Sequence, residues 1–197
     1  REILNYFEPA VQLGLTATPK RDDNVDTYDY FGEPAYEYSL SQGINDGFLS
    51  PYRVLRVQTS IDELVLTKSD TIIVGDPAKP IYKIPDFNRS IIVPERIEMI
   101  AKEILKRINP LDKTIIFCVD QQHALRMRDF INELKEVRDP DYCVRITSDE
   151  GQFGKQHLEN FQNNDKNIPT IVTTSQLLTT GVDIRNVRNI VLVKTIG

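Results

Sequence analysis

Four apolar strands separated by helices are the feature that most constrains how this chain can fold. The strand-like segments, at residues 114–119, 142–146, 170–173 and 189–193, are apolar along most of their length instead of at every second position. Strands of that kind are buried on both faces, as in a parallel sheet covered by helices. Residues 91–197 are therefore predicted to form an α/β domain with a parallel sheet and helices on both of its faces.

The helices that alternate with these strands carry recognisable start signals. Pro94 stands in the first turn of a helix over residues 94–108, whose apolar residues recur at spacings of three and four. Asp120 is the predicted N-cap of the next helix. Residues 155–162 are predicted to form a third helix and residues 176–179 a short fourth one.

The N-terminal part of the chain is less regular. Alternating apolar and polar residues predict strands at residues 11–16, 35–40 and 52–59. A short helix is predicted at residues 41–47, where a glycine closes the last turn.

Prolines interrupt residues 61–88 repeatedly, as in a linker or a surface hairpin, with short β segments at residues 71–74 and 81–84. The chain is accordingly divided into three parts. Residues 1–50 belong to one domain, residues 51–90 form a connector, and the α/β domain follows.

Composition narrows the classes of function. The chain has 24 Lys and Arg against 29 Asp and Glu, and this net charge of −5 argues against a basic arm that coats nucleic acid. No apolar run approaches the roughly 20 residues that a membrane-spanning helix needs, so no membrane partner is predicted. Cys118 and Cys143 are too few for a disulfide framework; both are predicted to be buried, and a reducing, cytoplasmic compartment is expected.

Two kinds of site are missing from the sequence. No Cys-x-x-Cys and no histidine pair at ligand spacing occurs, so no metal site is predicted. The dipeptide Gly154-Lys155 lacks both the earlier glycine and the following hydroxyl of a phosphate-cradling loop. ATP binding through such a loop is therefore excluded for this stretch of chain.

Three short segments could carry chemistry, although each also fits an ordinary capped turn. In residues 15–19 two hydroxyls and a proline turn follow a predicted strand, where α/β sheets place ligands. In residues 114–124 and 173–184 a buried strand runs into a polar helix start. Within the last segment, Gly181 would allow close backbone approach, and Asp183 could accept from a ribose hydroxyl or pair with an arginine.

Taken together these segments are more informative than singly. The turns after residues 119, 146 and 173 open on the same edge of a parallel sheet. Hydroxyls, amides and helix N-termini dominate that edge, with few Lys or Arg. Such a surface suits a sugar–phosphate backbone that is held without its bases being read.

Several of these residues resemble the motifs of superfamily 2 helicases and translocases. Leu15-Thr16-Ala17-Thr18-Pro19 resembles motif III, Ile115-Ile116-Phe117-Cys118 resembles motif IV, and residues 174–184 resemble motif V. A closer resemblance is to the motor (restriction) subunit of type I restriction-modification enzymes. Residues 31–40 and 42–54 resemble that family's stretch between its two motor lobes, and residues 173–183 resemble its form of motif V.

The resemblance implies two RecA-like lobes, each a three-layer α/β/α domain. Residues 1–50 would be the end of the first motor lobe, residues 51–90 the connector between lobes, and residues 91–197 the second lobe up to a point before motif VI. The family implies ATP-driven, Mg²⁺-dependent translocation on double-stranded DNA and remote cleavage by a separate nuclease domain. Its modification and specificity subunits would be partners.

The resemblance also implies roles for individual residues. Thr16, Ala17 and Thr18 would couple the state of ATP to the grip on DNA. Gly181 and Asp183 would face the nucleotide cleft. The residues that would touch DNA phosphates are Gln121, Thr147, Ser148, Thr174 and Ser175.

The family's Walker A loop, its Mg²⁺-binding acidic box and its nuclease residues are expected before residue 1, and its arginine finger after Gly197. The chain, which opens within a predicted helix and stops after a core strand, is therefore expected to be a fragment that alone hydrolyses no ATP and cuts no DNA. Two alternatives stay open: another superfamily 2 motor, such as an excision-repair or RNA helicase, and a non-catalytic α/β docking module.

Overall fold

The structure is a computed structural model of the 197-residue chain. It describes residues 5–7, 9–17, 19, 21–22, 25–57, 63–65, 81–83, 92–175, 178 and 184–194. The chain divides into two compact units, Arg1–Arg56 and Val57–Gly197. The finer division into residues 1–50, 51–90 and 91–197 stays a prediction.

Short elements make up the first unit. Strand β1 (Arg21–Asp22) pairs antiparallel with β2 (Val25–Asp26), and helix α1 (Thr27–Phe31) follows.

Helix α2 (Leu40–Asn45) also lies in the first unit and confirms the helix predicted at residues 41–47. It begins with a capping box, in which the Ser39 hydroxyl accepts from the Gln42 amide at 3.2 Å and the Gln42 side chain accepts from the Ser39 amide at 2.8 Å. Gly47 ends the turn with φ at +79°, a conformation that favours glycine.

Three strand predictions are wrong for the residues that the structure describes. Residues 11–16, 35–39 and 52–57 are irregular or bent and belong to no ladder. Val11 and Leu15 are about as exposed as in an extended chain, with 102% and 88% relative exposure. Alternation predicts an extended segment, but a strand forms only where another strand accepts and donates its hydrogen bonds.

The second unit begins with a hairpin. Strand β3 (Glu63–Val65) pairs antiparallel with β4 (Ile81–Lys83), with Leu64 opposite Tyr82. The β segment predicted at residues 81–84 is thus confirmed, and the one predicted at residues 71–74 lies outside the described residues.

A four-stranded parallel sheet forms the centre of the second unit. Its strands are β5 (Lys113–Phe117), β6 (Cys143–Arg145), β7 (Ile171–Thr174) and β8 (Val187–Leu192). They are ordered β6-β7-β5-β8, and every pairing between neighbours is parallel. The predicted parallel sheet is therefore confirmed, with strand limits within two residues of those expected.

Helices α3 (Pro94–Arg107), α4 (Gln121–Leu134) and α5 (Gly151–Gln162) alternate with the strands. Helix α5 starts four residues before the predicted position, directly after a 3₁₀ turn (Ser148–Glu150). Of the short helix predicted at residues 176–179, only Leu178 is described, and it lies in a turn.

Alternate residues of β5 enter two separate cores. Ile116 belongs to a buried cluster formed with residues of α3 and α4. Ile115 and Phe117 belong to a second cluster, which contains Phe161 of α5. Helices therefore cover both faces of the sheet, which gives the three-layer α/β/α arrangement.

The outer edge of β6 is closed by one side chain. Asn132 of α4 donates through its amide nitrogen to the Cys143 carbonyl at 2.7 Å, and its amide oxygen accepts from the Cys143 N–H at 3.3 Å. An edge strand presents unpaired N–H and C=O groups of this kind. The Asn132 amide thus takes the place of a neighbouring strand beside Cys143, which is only 1% exposed.

No helix in the described part of the chain has both the length and the hydrophobicity needed to cross a membrane.

We expect Asn132→Ala to lower the free energy of unfolding by about 1–3 kcal/mol, because it leaves two buried backbone groups of Cys143 without a partner. Urea denaturation measures this difference. The matched control is Asn160→Ala, which removes an exposed hydrogen bond to Lys166 and should change stability by less than about 0.5 kcal/mol. Equal effects of the two substitutions would contradict a role for Asn132 in closing the edge.

Candidate nucleic-acid interface

The turn after β5 is built by two side chains of the turn itself. The Asp120 carboxylate accepts from the backbone N–H of His123 at 2.7 Å and so caps α4. The His123 ring accepts from the backbone N–H of Val119 at 3.2 Å through Nδ1. These bonds fix Gln121 as the first residue of α4. It lies at the edge of the sheet where the carboxyl ends of the parallel strands meet, here called the carboxyl edge.

His123 is held in its neutral form. Burial lowers its pKa to about 4; Arg96 and Arg126 act in the same direction, and Asp120 opposes them. A neutral imidazole keeps a lone pair on Nδ1, which is the atom that accepts from Val119. His123 therefore has a structural role in shaping the turn, and sequence reasoning missed it.

The turn after β6 is organised around Glu150. One carboxylate oxygen accepts from the Thr147 N–H at 2.8 Å and from the Thr147 hydroxyl at 2.5 Å. The other oxygen accepts from Nε of Arg145. Arg145 also donates through Nη1 to the backbone carbonyl of Gln121 at 3.2 Å, so it joins the turns after β5 and β6.

The pKa of Glu150 lies below its usual range. Burial acts to raise this pKa, but the two hydrogen bonds from Thr147 and the contact with Arg145 outweigh it. Glu150 is therefore a carboxylate at neutral pH, and its charge is matched by the adjacent guanidinium.

Two of the predicted phosphate-contacting residues meet at this edge. The side-chain amide of Gln121 lies 3.0 Å from the Ser148 hydroxyl. The amide is best oriented with its oxygen accepting from Ser148 and its nitrogen donating to the carboxylate of Asp149. Ser148 and Asp149 are both exposed, so the surface here presents a hydroxyl, an amide and one carboxylate.

The end of β7 and the residue after it supply two more of the five predicted residues, Thr174 and Ser175. Thr174 is fully buried, and its hydroxyl has no hydrogen-bond partner among the described residues. Ser175 is 8% exposed, and its carbonyl accepts from the amine of Lys194 at 3.4 Å. The same amine lies 5.7 Å from the centre of the Phe117 ring.

Lys194 brings a positive charge to the carboxyl edge. The sequence predicts this edge but not the presence of Lys194 at it. The signal was available, since Lys194 directly follows the strand predicted at residues 189–193, and all parallel strands end at the same edge. Arg145 and Glu150 were also missed, because no sequence rule says that these two side chains face each other.

The remaining predicted site residues are Thr16, Ala17, Thr18, Gly181 and Asp183. Thr16 and Ala17 are exposed in an irregular segment of the first unit. Thr18, Gly181 and Asp183 lie outside the described residues. Within the described ranges, no group of three or more His, Cys, Asp or Glu side chains could hold a metal ion.

The second unit is thus a parallel α/β domain whose strand ends carry hydroxyls, amides and one lysine, at the edge where such domains bind ligands. The chain is homologous to a segment of the endonuclease subunits of type I restriction enzymes. It is 47% identical over 201 residues to the type I restriction enzyme EcoAI endonuclease subunit of Escherichia coli, a match that covers 98% of the chain and 25% of that subunit.

Two further comparisons agree. The EcoKI endonuclease subunit of Escherichia coli K12 is 28% identical over 219 residues, across 100% of the chain and 18% of the subunit. A solved HsdR fragment of a type I restriction enzyme from Vibrio vulnificus YJ016 matches with a TM-score of 0.78 and 46% identity, across 100% of this chain and 35% of that one. No family model matches the chain.

These comparisons confirm the resemblance inferred from the motifs and the α/β fold inferred from the strand pattern. The chain spans between 18% and 25% of the length of the curated relatives that it matches.

Because His123 resists protonation in the folded state, acid should destabilise the second unit. The pKa falls from about 6.5 in the unfolded chain to about 4 in the folded one, so the stabilisation is complete above pH 6.5 and is lost as the pH falls towards 4. We expect a loss of about 2 kcal/mol between pH 7 and pH 5, measured by urea denaturation. His123→Gln, which keeps an acceptor for Val119, should flatten this dependence; an unchanged slope would contradict the assignment.

Proposed function

We propose that this chain is part of the motor subunit of a type I restriction enzyme, in which ATP hydrolysis drives translocation along double-stranded DNA before remote cleavage. The observation that carries this proposal is the 47% identity across 98% of the chain to an endonuclease subunit of such an enzyme. Modification and specificity subunits would be the partners, and the enzyme would work in the cytoplasm.

In this proposal the second unit is the second RecA-like lobe, and its carboxyl edge contacts the DNA backbone. Gln121 and Ser148 lie together on the surface, and Ser175 directly follows Thr174, the last residue of β7. Hydroxyl and amide donors bind phosphate oxygens without reading bases, as a protein that moves over any sequence requires. Thr147 is 3% exposed and bonded to Glu150, and Thr174 is 0% exposed, so we place both behind this surface and Ser148 on it.

ATP and Mg²⁺ would act at a site that the described residues do not complete. Phosphoryl transfer needs a lysine on the phosphates, a bound metal and an arginine that stabilises the transferred group. The described residues include no cluster able to hold the metal. We therefore expect no ATPase activity from this chain alone. In the intact subunit, Gly181 and Asp183 would face the nucleotide. The state of that nucleotide would be coupled to the grip on DNA by Thr16, Ala17 and Thr18.

The DNA interface is tested by measuring the affinity of the intact subunit for duplex DNA over a range of salt concentrations. We expect Gln121→Ala combined with Ser148→Ala to weaken binding roughly tenfold, or about 1.4 kcal/mol. Both donors are uncharged and release no counterions, so the slope of log affinity against log salt should not change.

The control is the pair Gln152→Ala and Gln156→Ala, two exposed residues of α5 that should leave affinity unchanged. The weakening should also be the same on duplexes of unrelated sequence, because phosphate contacts carry no base information. An affinity equal to that of the control would show that this edge does not contact DNA.

A further inference from the structure

The ion pair between Arg145 and Glu150 differs from the other ion pairs in the described part of the chain. Its two side chains are only 14% and 15% exposed. The pairs Lys102–Glu98 and Arg128–Asp129 each contain a side chain that is 57% exposed. Exposed pairs of that kind contribute little to stability, whereas removing one partner of a shielded pair leaves the other charge uncompensated.

We propose that Arg145 and Glu150 are positioning residues that hold the turn after β6 against the first residue of α4, so that Gln121 and Ser148 form one phosphate-binding pair. The inference rests on the proposed function, because it concerns the same surface. Neither Arg145 nor Glu150 touches DNA in this account; both act through the residues that do.

The hydrogen bonds of the pair lead from one turn to the other. Arg145 uses separate nitrogens for the Glu150 carboxylate and for the Gln121 carbonyl, and the second oxygen of Glu150 holds Thr147. Ser148 directly follows Thr147 in the chain. The distance between the Gln121 amide and the Ser148 hydroxyl is therefore controlled by a single guanidinium whose donors are fixed in one plane.

Helix α5 holds the other side of Glu150. Gly154 is buried, and a Cβ atom at that position would lie 2.9 Å from the Cβ atom of Glu150. That distance is too short for two carbon atoms in contact, so any larger residue at this position would displace the Glu150 side chain. Arg145 of β6, Thr147 and Gly154 of α5 thus surround Glu150, and α4 is reached through Arg145.

A direct phosphate contact by Arg145 is the main competing explanation. Its guanidinium already donates to Glu150 and Gln121 and is largely shielded from solvent. An arginine that neutralises a phosphate contributes about one unit to the salt slope of DNA binding. A positioning arginine contributes nothing to that slope, so the two roles are separable.

The test uses the intact subunit with Arg145→Met and Glu150→Gln combined, which keeps the net charge and removes both partners together. We expect duplex DNA affinity to fall roughly tenfold, with an unchanged salt slope. Adding Gln121→Ala and Ser148→Ala to this variant should cause no further loss, because those side chains are already misplaced. The control is Arg128→Met with Asp129→Asn, an exposed pair on α4, which should bind DNA like the unmodified subunit.

Each other outcome overturns the proposal. Wild-type affinity in the Arg145 and Glu150 variant would show that the pair does not position the surface. Losses that multiply to about a hundredfold in the combined variant would show that the pair acts independently of Gln121 and Ser148. A salt slope reduced by about one unit would identify Arg145 as a direct contact.

A second variant guards against misfolding. Arg145→Lys keeps the charge but cannot make both of the guanidinium's hydrogen bonds at once, so we expect a several-fold loss of affinity with an unchanged urea midpoint. Full affinity in this variant would also overturn the proposal.

If Gln121→Ala with Ser148→Ala does not weaken binding, the proposed DNA interface itself fails, and the positioning role fails with it. If the two pairs of substitutions cause independent losses, only the positioning role fails.

Discussion

The burial of β5 on both faces is the constraint on which the rest of the second unit depends. All five of its residues are buried, and it lies between β7 and β8. Even its first residue, Lys113, is only 6% exposed, and its amine donates to the carbonyls of Phe161 and Asn163 at the end of α5. Burial lowers the pKa of this amine, and the carbonyls of the helix end stabilise its charge.

A central strand fixed in this way also determines where the proposed DNA-contacting surface lies. Because the four strands are parallel, their carboxyl ends reach the same edge, and the turns that follow β5, β6 and β7 meet there. The sheet alone does not bring two particular side chains into register. That last adjustment is made by polar contacts, chiefly those of Asp120, His123, Arg145 and Glu150.

Sequence reasoning succeeded where burial alone decides the structure. The strands and helices from residue 94 onward could be predicted, because a continuous apolar strand has few alternatives to the middle of a covered sheet. It failed at residues 11–16, 35–39 and 52–57, where alternation showed an extended chain but no partner strand exists among the described residues. At the site, the proximity of Gln121 and Ser148 followed from the parallel-edge rule, whereas the contact of Arg145 with Glu150 depends on side-chain directions that no spacing encodes.

Charge at the proposed DNA-contacting edge would set how tightly that edge holds a phosphate. Two carboxylates, Asp149 and Glu150, lie beside the predicted contact residues, and each is already engaged, Glu150 by Arg145 and Asp149 by the amide of Gln121. A phosphate that binds Gln121 must therefore replace an existing hydrogen bond, so the net gain in free energy is small. If the chain belongs to a translocating motor, a contact that is made and broken at little net cost is what repeated movement along DNA demands. Affinity would then come from many such contacts, with Lys194 contributing positive charge at this edge.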